Sequence, residues 1–250
     1  MRLSAVSLVR DCRRLFLPLV GVLLLAACSG EGEQQKETAR RTGTPASASV
    51  ASAQVKAQSI PLGSGFDFYV LSLSWSPSWC IENDPSGRTE QCAAGHGFIV
   101  HGLWPQNEQG YPQFCRTRES DRVPEALGRT LFDIMPSMGL IGHEWRKHGS
   151  CSGLSQKDYF TVLRAAREKV TIPPALQSVE THRRTTAAEI ETALSAANPG
   201  LRDDGLAVTC AEGRIEEVRI CFNADLSFRT CSEIDRGGCK RKNFNQPPMP

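Results

Sequence analysis

The chain has 250 residues, of which 40% are hydrophobic and 22% are charged, and its formal net charge is +2. This composition is typical of one globular domain with a sizeable core plus some non-globular sequence. The charge excludes a protein that binds nucleic acid through a broadly basic surface, so any attraction for a polyanion must be local.

The first 28 residues predict an export signal. Four arginines precede an apolar run at 15–27 that is too short to cross a bilayer as a helix. The run ends in LAAC at 25–28, which resembles a bacterial lipoprotein processing box, so we expect cleavage before Cys28 and lipidation of its thiol. An ordinary secretory signal with a chance cysteine is the alternative. Removal of four Arg and one Asp with this segment leaves 25 basic and 26 acidic residues.

Residues 29–62 predict a flexible tether. They are rich in Ser, Ala, Gln, Gly and charged residues and contain no aromatic residue, so they cannot bury enough apolar surface to offset the entropy of ordering. We expect a membrane-anchored lipoprotein that faces the periplasm or the cell exterior. Ser29 directly after the cysteine is compatible with an outer-membrane destination.

The remaining sequence alternates between strand and helix patterns. Dense aromatic and β-favouring residues predict strands at 66–75 and 97–104, and apolar residues near helical spacing predict helices at 123–135 and 155–170. Further elements are a helix capped by Thr185 or Thr186 and then three strands, GLAVTC, RIEEVRICF and LSFRTC. Strands and helices are partly segregated, which predicts an α+β fold with a central antiparallel sheet, packed helices and disulfides.

The stretch HEWRKHGSC at 143–151 suggests three different sites. Its similarity to the zinc motif HExxH fails on spacing, because His143 and His148 are five residues apart and differ by about 140° around a helix. The same geometry places His143, Glu144, Lys147 and His148 on one side, with Trp145 in the core and Gly149 as a stop. Such a cluster suits proton transfer and stabilisation of an oxyanion. A solvated, salt-bridged helix face is the alternative.

A second stretch, FIVHGLWPQ at 98–106, favours the acid–base interpretation. His101 lies at a strand end near Trp104, which combines a proton-transfer group with a face for base stacking. A lone histidine is more often structural. His182, beside two arginines, is interpreted as a solvated loop residue.

The cysteines predict disulfides. Without Cys12 and Cys28, eight cysteines remain, and no C-x-x-C pair among them supports zinc binding. Their spacing alone does not choose among the 105 possible pairings.

HGLWP at 101–105 and HEWRKHGSC at 143–151 resemble the signature segments of the ribonuclease T2 family. The opening strand that ends in SWC, and the later cysteines, are also similar to that family, over about residues 66–242. The resemblance implies a catalytic domain at 63–250 that cleaves RNA as a monomer, without a metal or other cofactor, and that contacts a membrane only through its lipid anchor.

The resemblance also implies a role for each site residue. His101 and His148 are expected to form the general acid–base pair. Which of them is the base stays open at this point, and we favour His148 as base and His101 as acid in the first step. Glu144 and Lys147 are expected to stabilise the transition state. Substrate would be bound by His143 and Trp104. The implied disulfides are Cys80–Cys92, Cys115–Cys151, Cys210–Cys239 and Cys221–Cys231.

Departures from the family pattern are small. Ser150 stands where threonine is common, and Gln106 stands where some relatives carry an acidic base-reading residue, which leaves base preference open. Three rival hypotheses are a non-catalytic member that binds RNA or a cell-wall partner, a metal-dependent hydrolase, and a structural lipoprotein.

Overall fold

A computed structural model describes residues 59–177 and 179–249. The predicted export signal with Cys28, and the tether up to residue 58, lie outside the described residues. Within these described ranges, no helix combines the length and apolarity needed to cross a bilayer.

The described residues form six strands and eight α-helices, which confirms the predicted α+β class. The strands are β1 (Phe68–Trp75), β2 (Phe98–Gln106), β3 (Arg183–Thr185), β4 (Leu206–Ala211), β5 (Arg214–Phe222) and β6 (Phe244–Gln246). The helices are α1 (Ser76–Asn83), α2 (Glu90–Ala93), α3 (Glu125–Arg129), α4 (Met138–Lys147), α5 (Gln156–Glu168), α6 (Pro174–Gln177), α7 (Ala187–Ala197) and α8 (Ser232–Arg236). Two short 3₁₀ helices cover Gly149–Cys151 and Asp203–Gly205.

The sheet is centred on the antiparallel strands β2, β1, β5 and β4, which pair in that order. β3 and β6 form an antiparallel pair at one end, joined to β5 by a single parallel pairing of Arg214 with Asn245. β1 therefore has a strand on each side. This central position explains why its sequence is almost continuously buried.

The two faces of β1 serve different purposes. Tyr69, Leu71, Leu73 and Trp75 point into the main core. The opposite face begins with Phe68 and Val70, which pack on the Cys221–Cys231 disulfide, and continues with Ser72 and Ser74. One face of β1 is thus apolar and packs in the main core. The other face becomes small and polar towards Ser72 and Ser74.

Side-chain caps fix the starts of α5 and α7, the two longest helices of the described residues. The Ser155 hydroxyl accepts from the backbone N–H of Asp158 at the start of α5, and the helix buries Tyr159, Leu163 and their neighbours, as predicted. At α7 the structure selects Thr186 over Thr185, because Thr186 forms a reciprocal capping box with Glu189.

Two predicted elements are wrong in extent. The helix predicted at 123–135 is helical only at 125–129, and after it the backbone tightens to bonds three residues back, such as that from the Leu131 N–H to the Gly128 carbonyl. LSFRTC forms no strand and makes one isolated bridge, Phe222 to Phe228. Its start lies in a tight turn with Leu226 at φ +61°, where Asp225 bonds Ser227.

Four disulfides join the same cysteines that the family resemblance implies. Cys80–Cys92 links α1 to α2, and Cys115–Cys151 links the segment after β2 to the 3₁₀ helix after α4. The other two, Cys210–Cys239 and Cys221–Cys231, connect the C-terminal segment to β4 and β5. The sheet and the segments around α4 are therefore covalently held.

Removal of the Cys115–Cys151 bridge by a double alanine substitution is expected to lower the free energy of unfolding by about 4 kcal/mol, because it frees a 36-residue loop in the unfolded chain. The Cys80–Cys92 bridge closes only 12 residues and is the matched control, with an expected loss of about 3 kcal/mol. Urea unfolding of both variants measures the difference. A smaller loss for the 36-residue bridge would contradict this expectation.

Candidate active site

His101 lies at a bulge in β2. Ser72 of β1 pairs with Gly102 and Leu73 pairs with Val100, so His101 is an extra residue without a partner on β1. Such a bulge bends the strand and redirects a side chain. The His101 side chain is accordingly 35% exposed.

The next residue, Gly102, allows α4 to approach β2 closely. A Cβ atom at this position would lie 2.8 Å from the carboxyl carbon of Glu144 and would also collide with the indole nitrogen of Trp104. The absence of a side chain at Gly102 lets the Trp104 Nε1–H donate to Glu144 Oε2 at 2.7 Å. This bond joins the two signature segments directly.

Trp145 fixes the orientation of α4. Its ring is fully buried, and its Nε1–H donates to the carbonyl of Ser120 at 2.8 Å, as the sequence predicts for a core anchor. His143 and Lys147 then lie on the side of α4 that lines the same cavity as His101. His148 follows as the C-cap residue, so the polar side predicted from helical geometry is present although the last histidine lies just beyond the helix.

Gly149 has a different role from the predicted helix stop. Its φ is not in the left-handed region that a glycine stop uses. A Cβ atom there would lie 2.6 Å from the Trp145 ring and 2.7 Å from the Tyr159 ring. Gly149 is therefore required for close packing of the turn that carries His148.

All six predicted site residues line one cleft of about 420 Å³. They are His101, Trp104, His143, Glu144, Lys147 and His148. The Trp104 ring is at the centre: its centroid is 5.4 Å from the His101 ring and 5.2 Å from the His148 ring. The structure thus places two imidazoles around one indole.

Sequence reasoning missed several residues that line this cleft, and three of them lie against its histidines or Trp104. Glu217 accepts a hydrogen bond from Nδ1 of His101, and Arg219 pairs with Glu217 and lies 5.3 Å above the Trp104 ring. The ring of Tyr111 lies 6.0 Å from that of His148. The alternation in RIEEVRICF predicted β5 and put Glu217 and Arg219 on one face, but no local signal indicated that β5 would pair with β1.

The environment of His148 favours its neutral form. Burial, followed by the positive charges of Lys147 and the other two histidines, lowers the pKa of His148 to about 3. The same causes act more weakly on His143, where burial and then Lys147 and Arg146 lower the pKa.

His101 has the opposite tendency. Burial alone would lower its pKa, but the hydrogen bond and charge of Glu217, together with Glu144, outweigh burial and raise the pKa of His101 above its ordinary value. Burial opposes ionisation of Glu217 as well, yet His101 and Arg219 hold the pKa of Glu217 at about 2. His101 and His148 therefore differ in basicity.

Glu144 of the second signature segment is 1% exposed and contacts Trp104 and His101 of the first. Burial raises its pKa, against the lowering effects of His101 and of the bond from Trp104. Its free oxygen, Oε1, is 3.6 Å from His101 Nε2. A carboxyl in this position can hold a proton and donate it to an oxygen atom of a bound ligand.

The cleft therefore combines a neutral imidazole, an imidazole that favours protonation, a lysine and a buried carboxyl group. This set can remove one proton, deliver another and stabilise negative charge that develops between them. Within the described ranges, no three His, Cys, Asp or Glu side chains are arranged to hold a metal ion.

Comparison with known proteins identifies relatives of this chain. The family model for the ribonuclease T2 family matches residues 66–231. A ribonuclease of Aeromonas hydrophila is 45% identical over 111 residues, which cover 44% of this chain and 49% of that protein. A ribonuclease T2 protein of Caenorhabditis elegans is 26% identical over 223 residues, covering 75% and 78%. A probable ribonuclease of Haemophilus influenzae is 37% identical over 108 residues, covering 38% and 39%.

The match thus spans about half the length of the Aeromonas relative and about two fifths of the Haemophilus one. Among solved structures, an RNase-related protein from Calystegia sepium has a TM-score of 0.58 at 20% identity, covering 74% of this chain and 98% of that one. RNase NT in complex with 5′-AMP has a TM-score of 0.51 at 22% identity, covering 74% and 100%. These likenesses show a shared fold, and with the family match over 66–231 they establish that the chain belongs to the ribonuclease T2 family.

Proposed function

We propose that the chain is a metal-independent endoribonuclease that cleaves single-stranded RNA by transphosphorylation. The observation that carries this proposal is the pair of imidazoles of different basicity in one cleft with Glu144 and Lys147. The relatives support the substrate class: several are ribonucleases, and the RNase NT structure holds 5′-AMP.

In the first step, neutral His148 takes the proton of the 2′-hydroxyl as the O2′–P bond forms. His101 gives a proton to the 5′-oxygen as the P–O5′ bond breaks, which leaves a 2′,3′-cyclic phosphate. In the second step a water oxygen attacks phosphorus, its proton goes to His101, and O2′ leaves with the proton held by His148. The product is a 3′-phosphate, and both histidines return to their starting state.

The other cleft residues act on charge and position. The Lys147 ammonium stabilises negative charge on the phosphoryl oxygens, and Glu144, whose pKa is raised by burial, donates to the same oxygens when it is protonated. His143 assists in binding the phosphate group of the substrate. Trp104 offers a stacking face to a base and holds Glu144 through its indole N–H.

Digestion of defined dinucleoside phosphates in the presence of a chelator tests the proposed function. We expect a product with the mass of a 2′,3′-cyclic phosphate, followed by the 3′-phosphate, and no cleavage of the matching deoxynucleotide because it lacks the 2′-hydroxyl. Activity that disappears with chelator and returns with zinc would favour the metal-dependent hydrolase. Binding without cleavage would favour the non-catalytic member.

The pH dependence of kcat/KM follows from the two imidazoles. The base His148 must be neutral, so activity is expected to fall only as the pH drops towards its pKa of about 3. The acid His101 must be protonated, so activity is expected to fall as the pH rises above the ordinary imidazole value, because the pKa of His101 is raised. Initial rates on a dinucleoside phosphate across pH measure both limbs, with intrinsic fluorescence as the control for folding. An acid limb near neutral pH would contradict the assignment.

We also propose that the chain is exported and anchored by lipid on Cys28. The proposal is supported by the apolar run before Cys28 and by the disulfides, which are typical of oxidising compartments. Replacement of Cys28 by serine is expected to release the protein from the membrane fraction of the expressing cell. Retention of the variant in that fraction would contradict lipid anchoring at this residue.

A further inference from the structure

Several contacts hold the Glu217 side chain in place in the cleft. It is 4% exposed, and its Oε1 accepts from Nδ1 of His101. Its Oε2 accepts a hydrogen bond from Arg219 Nε at 2.9 Å and lies 2.8 Å from Arg219 Nη2 in an ion pair. The backbone N–H of Glu217 donates to the Thr209 hydroxyl on β4 at 3.1 Å. Because both its carboxylate and its backbone are bonded, Glu217 has little freedom to turn away from His101.

The strand register explains how Glu217 reaches His101. On β1, Ser74 pairs with Glu217 and Ser72 pairs with Arg219, so two short side chains separate β5 from β2 on this face. The bulge on β2 turns His101 towards the space above these serines. The Ser74 hydroxyl lies 3.5 Å from Glu217 Oε1 and completes the contact.

We propose that Glu217 is a positioning residue for His101: its carboxylate accepts the Nδ1–H and leaves Nε2 alone to exchange the catalytic proton. An ionised carboxylate can only accept a hydrogen bond, so the proton of this contact lies on Nδ1. Nε2 faces Glu144 Oε1 and the cleft. This inference rests on the proposed function and adds a residue outside both signature segments.

A fixed tautomer serves both steps of the reaction. In the first step the Nε2–H bond breaks, and the proton goes to O5′ as the P–O5′ bond breaks. Nε2 is then the free nitrogen that takes a proton from the attacking water. With the proton on Nε2 and none on Nδ1, the neutral ring would present no base to the water. Glu217 prevents this form by requiring a donor at Nδ1.

Arg219 balances the charge of Glu217. Glu217 and Glu144 both face one imidazole, and whenever both are ionised they would, without a cation, repel each other and hold the imidazolium too strongly. The Arg219 guanidinium neutralises one of them and lies over Trp104. Other charged or titratable groups face His101 or line the cavities beside it: Glu82 on α1; Tyr111 after β2; His143, Lys147 and His148 on or after α4; Glu216 on β5; and Glu233 on α8.

Nitrogen NMR of the His101 ring in the wild-type chain tests the proposal without any activity measurement. We expect the neutral ring to carry its proton on Nδ1. We also expect Glu217→Gln to lower the titration midpoint of His101, because the variant removes the charge and keeps the size. A neutral ring protonated on Nε2 in the wild type would overturn the proposal, as would an unchanged midpoint in a folded Glu217→Gln variant. The wild-type measurement decides the question even if the variant does not fold.

Kinetics separate a positioning role from a structural one. Glu217→Gln is expected to lower kcat by about 10- to 100-fold, the scale for loss of a group that orients a functional histidine, with KM little changed. The basic limb of the pH profile is expected to move to lower pH. Glu180→Gln, an exposed carboxylate outside the cleft, is the charge control and should leave both unchanged.

In a His101→Ala background, Glu217→Gln is expected to cause no further loss, because Glu217 acts through His101. An additive loss in the double variant would overturn the proposal. If the wild-type chain cleaves no RNA but carries the His101 proton on Nδ1, the proposed function fails and the contact between Glu217 and His101 stands.

Discussion

Replacement of His148 by alanine is expected to lower kcat on a dinucleoside phosphate by about 10²- to 10⁴-fold, with a much smaller change in KM. The 2′-hydroxyl is a weak nucleophile until its proton is removed, and His148 is the imidazole that its surroundings keep neutral. The same range is expected for His101→Ala, because the 5′-oxygen is a poor leaving group unless it is protonated.

His182→Ala is the matched control for these substitutions. His182 lies in a different cavity, beside the Cys80–Cys92 disulfide, and its loss should leave kcat unchanged. Thermal unfolding of all three variants separates loss of catalysis from loss of fold. A folded His148→Ala variant that retains wild-type kcat would contradict a catalytic role for this residue.

Replacement of Lys147 by methionine is expected to lower kcat by about 10²- to 10³-fold, the scale for loss of one group that stabilises negative charge in a transition state. Lys147 lines the cleft beside both His143 and His148. Methionine is of similar length, so the substitution removes charge and keeps most of the packing. Lys147→Arg is expected to recover part of the activity.

Lys157→Met on the exposed side of α5 is the control for the loss of one positive charge from the whole chain. Steady-state kinetics at several salt concentrations measure both variants. If Lys147→Met raises KM and leaves kcat unchanged, Lys147 binds substrate and transition state equally, and its proposed role in stabilising the transition state is wrong.

Local patterns predicted the elements that depend on local chemistry. The apolar spacing and cap of α5, and the aromatic and β-branched residues of β1, each determine an element without reference to distant residues. Prediction failed after α3, where the Leu131 N–H bonds the carbonyl of Gly128 and the expected helix does not continue. It failed again at LSFRTC, where a turn around Asp225 replaces the expected strand.

The site shows the same division. His101, Glu144 and His148 lie in two continuous segments, so residue types and spacing were enough to nominate them. Glu217 and Arg219 reach the cleft only through the register of β5 on β1, which joins residues more than 140 positions apart. The periodicity of β5 alone contains no information on its partner, and therefore the sequence could not connect Glu217 with His101.

The central claim is that His148 acts as base and His101 as acid on one phosphodiester. A substrate whose 5′-nucleoside is replaced by 4-nitrophenol tests it most directly, because this leaving group departs without a proton. We predict that His101→Ala regains most of the wild-type rate on this substrate, whereas His148→Ala stays strongly impaired. Equal impairment of His101→Ala on the two substrates, or recovery of His148→Ala instead, would contradict the account.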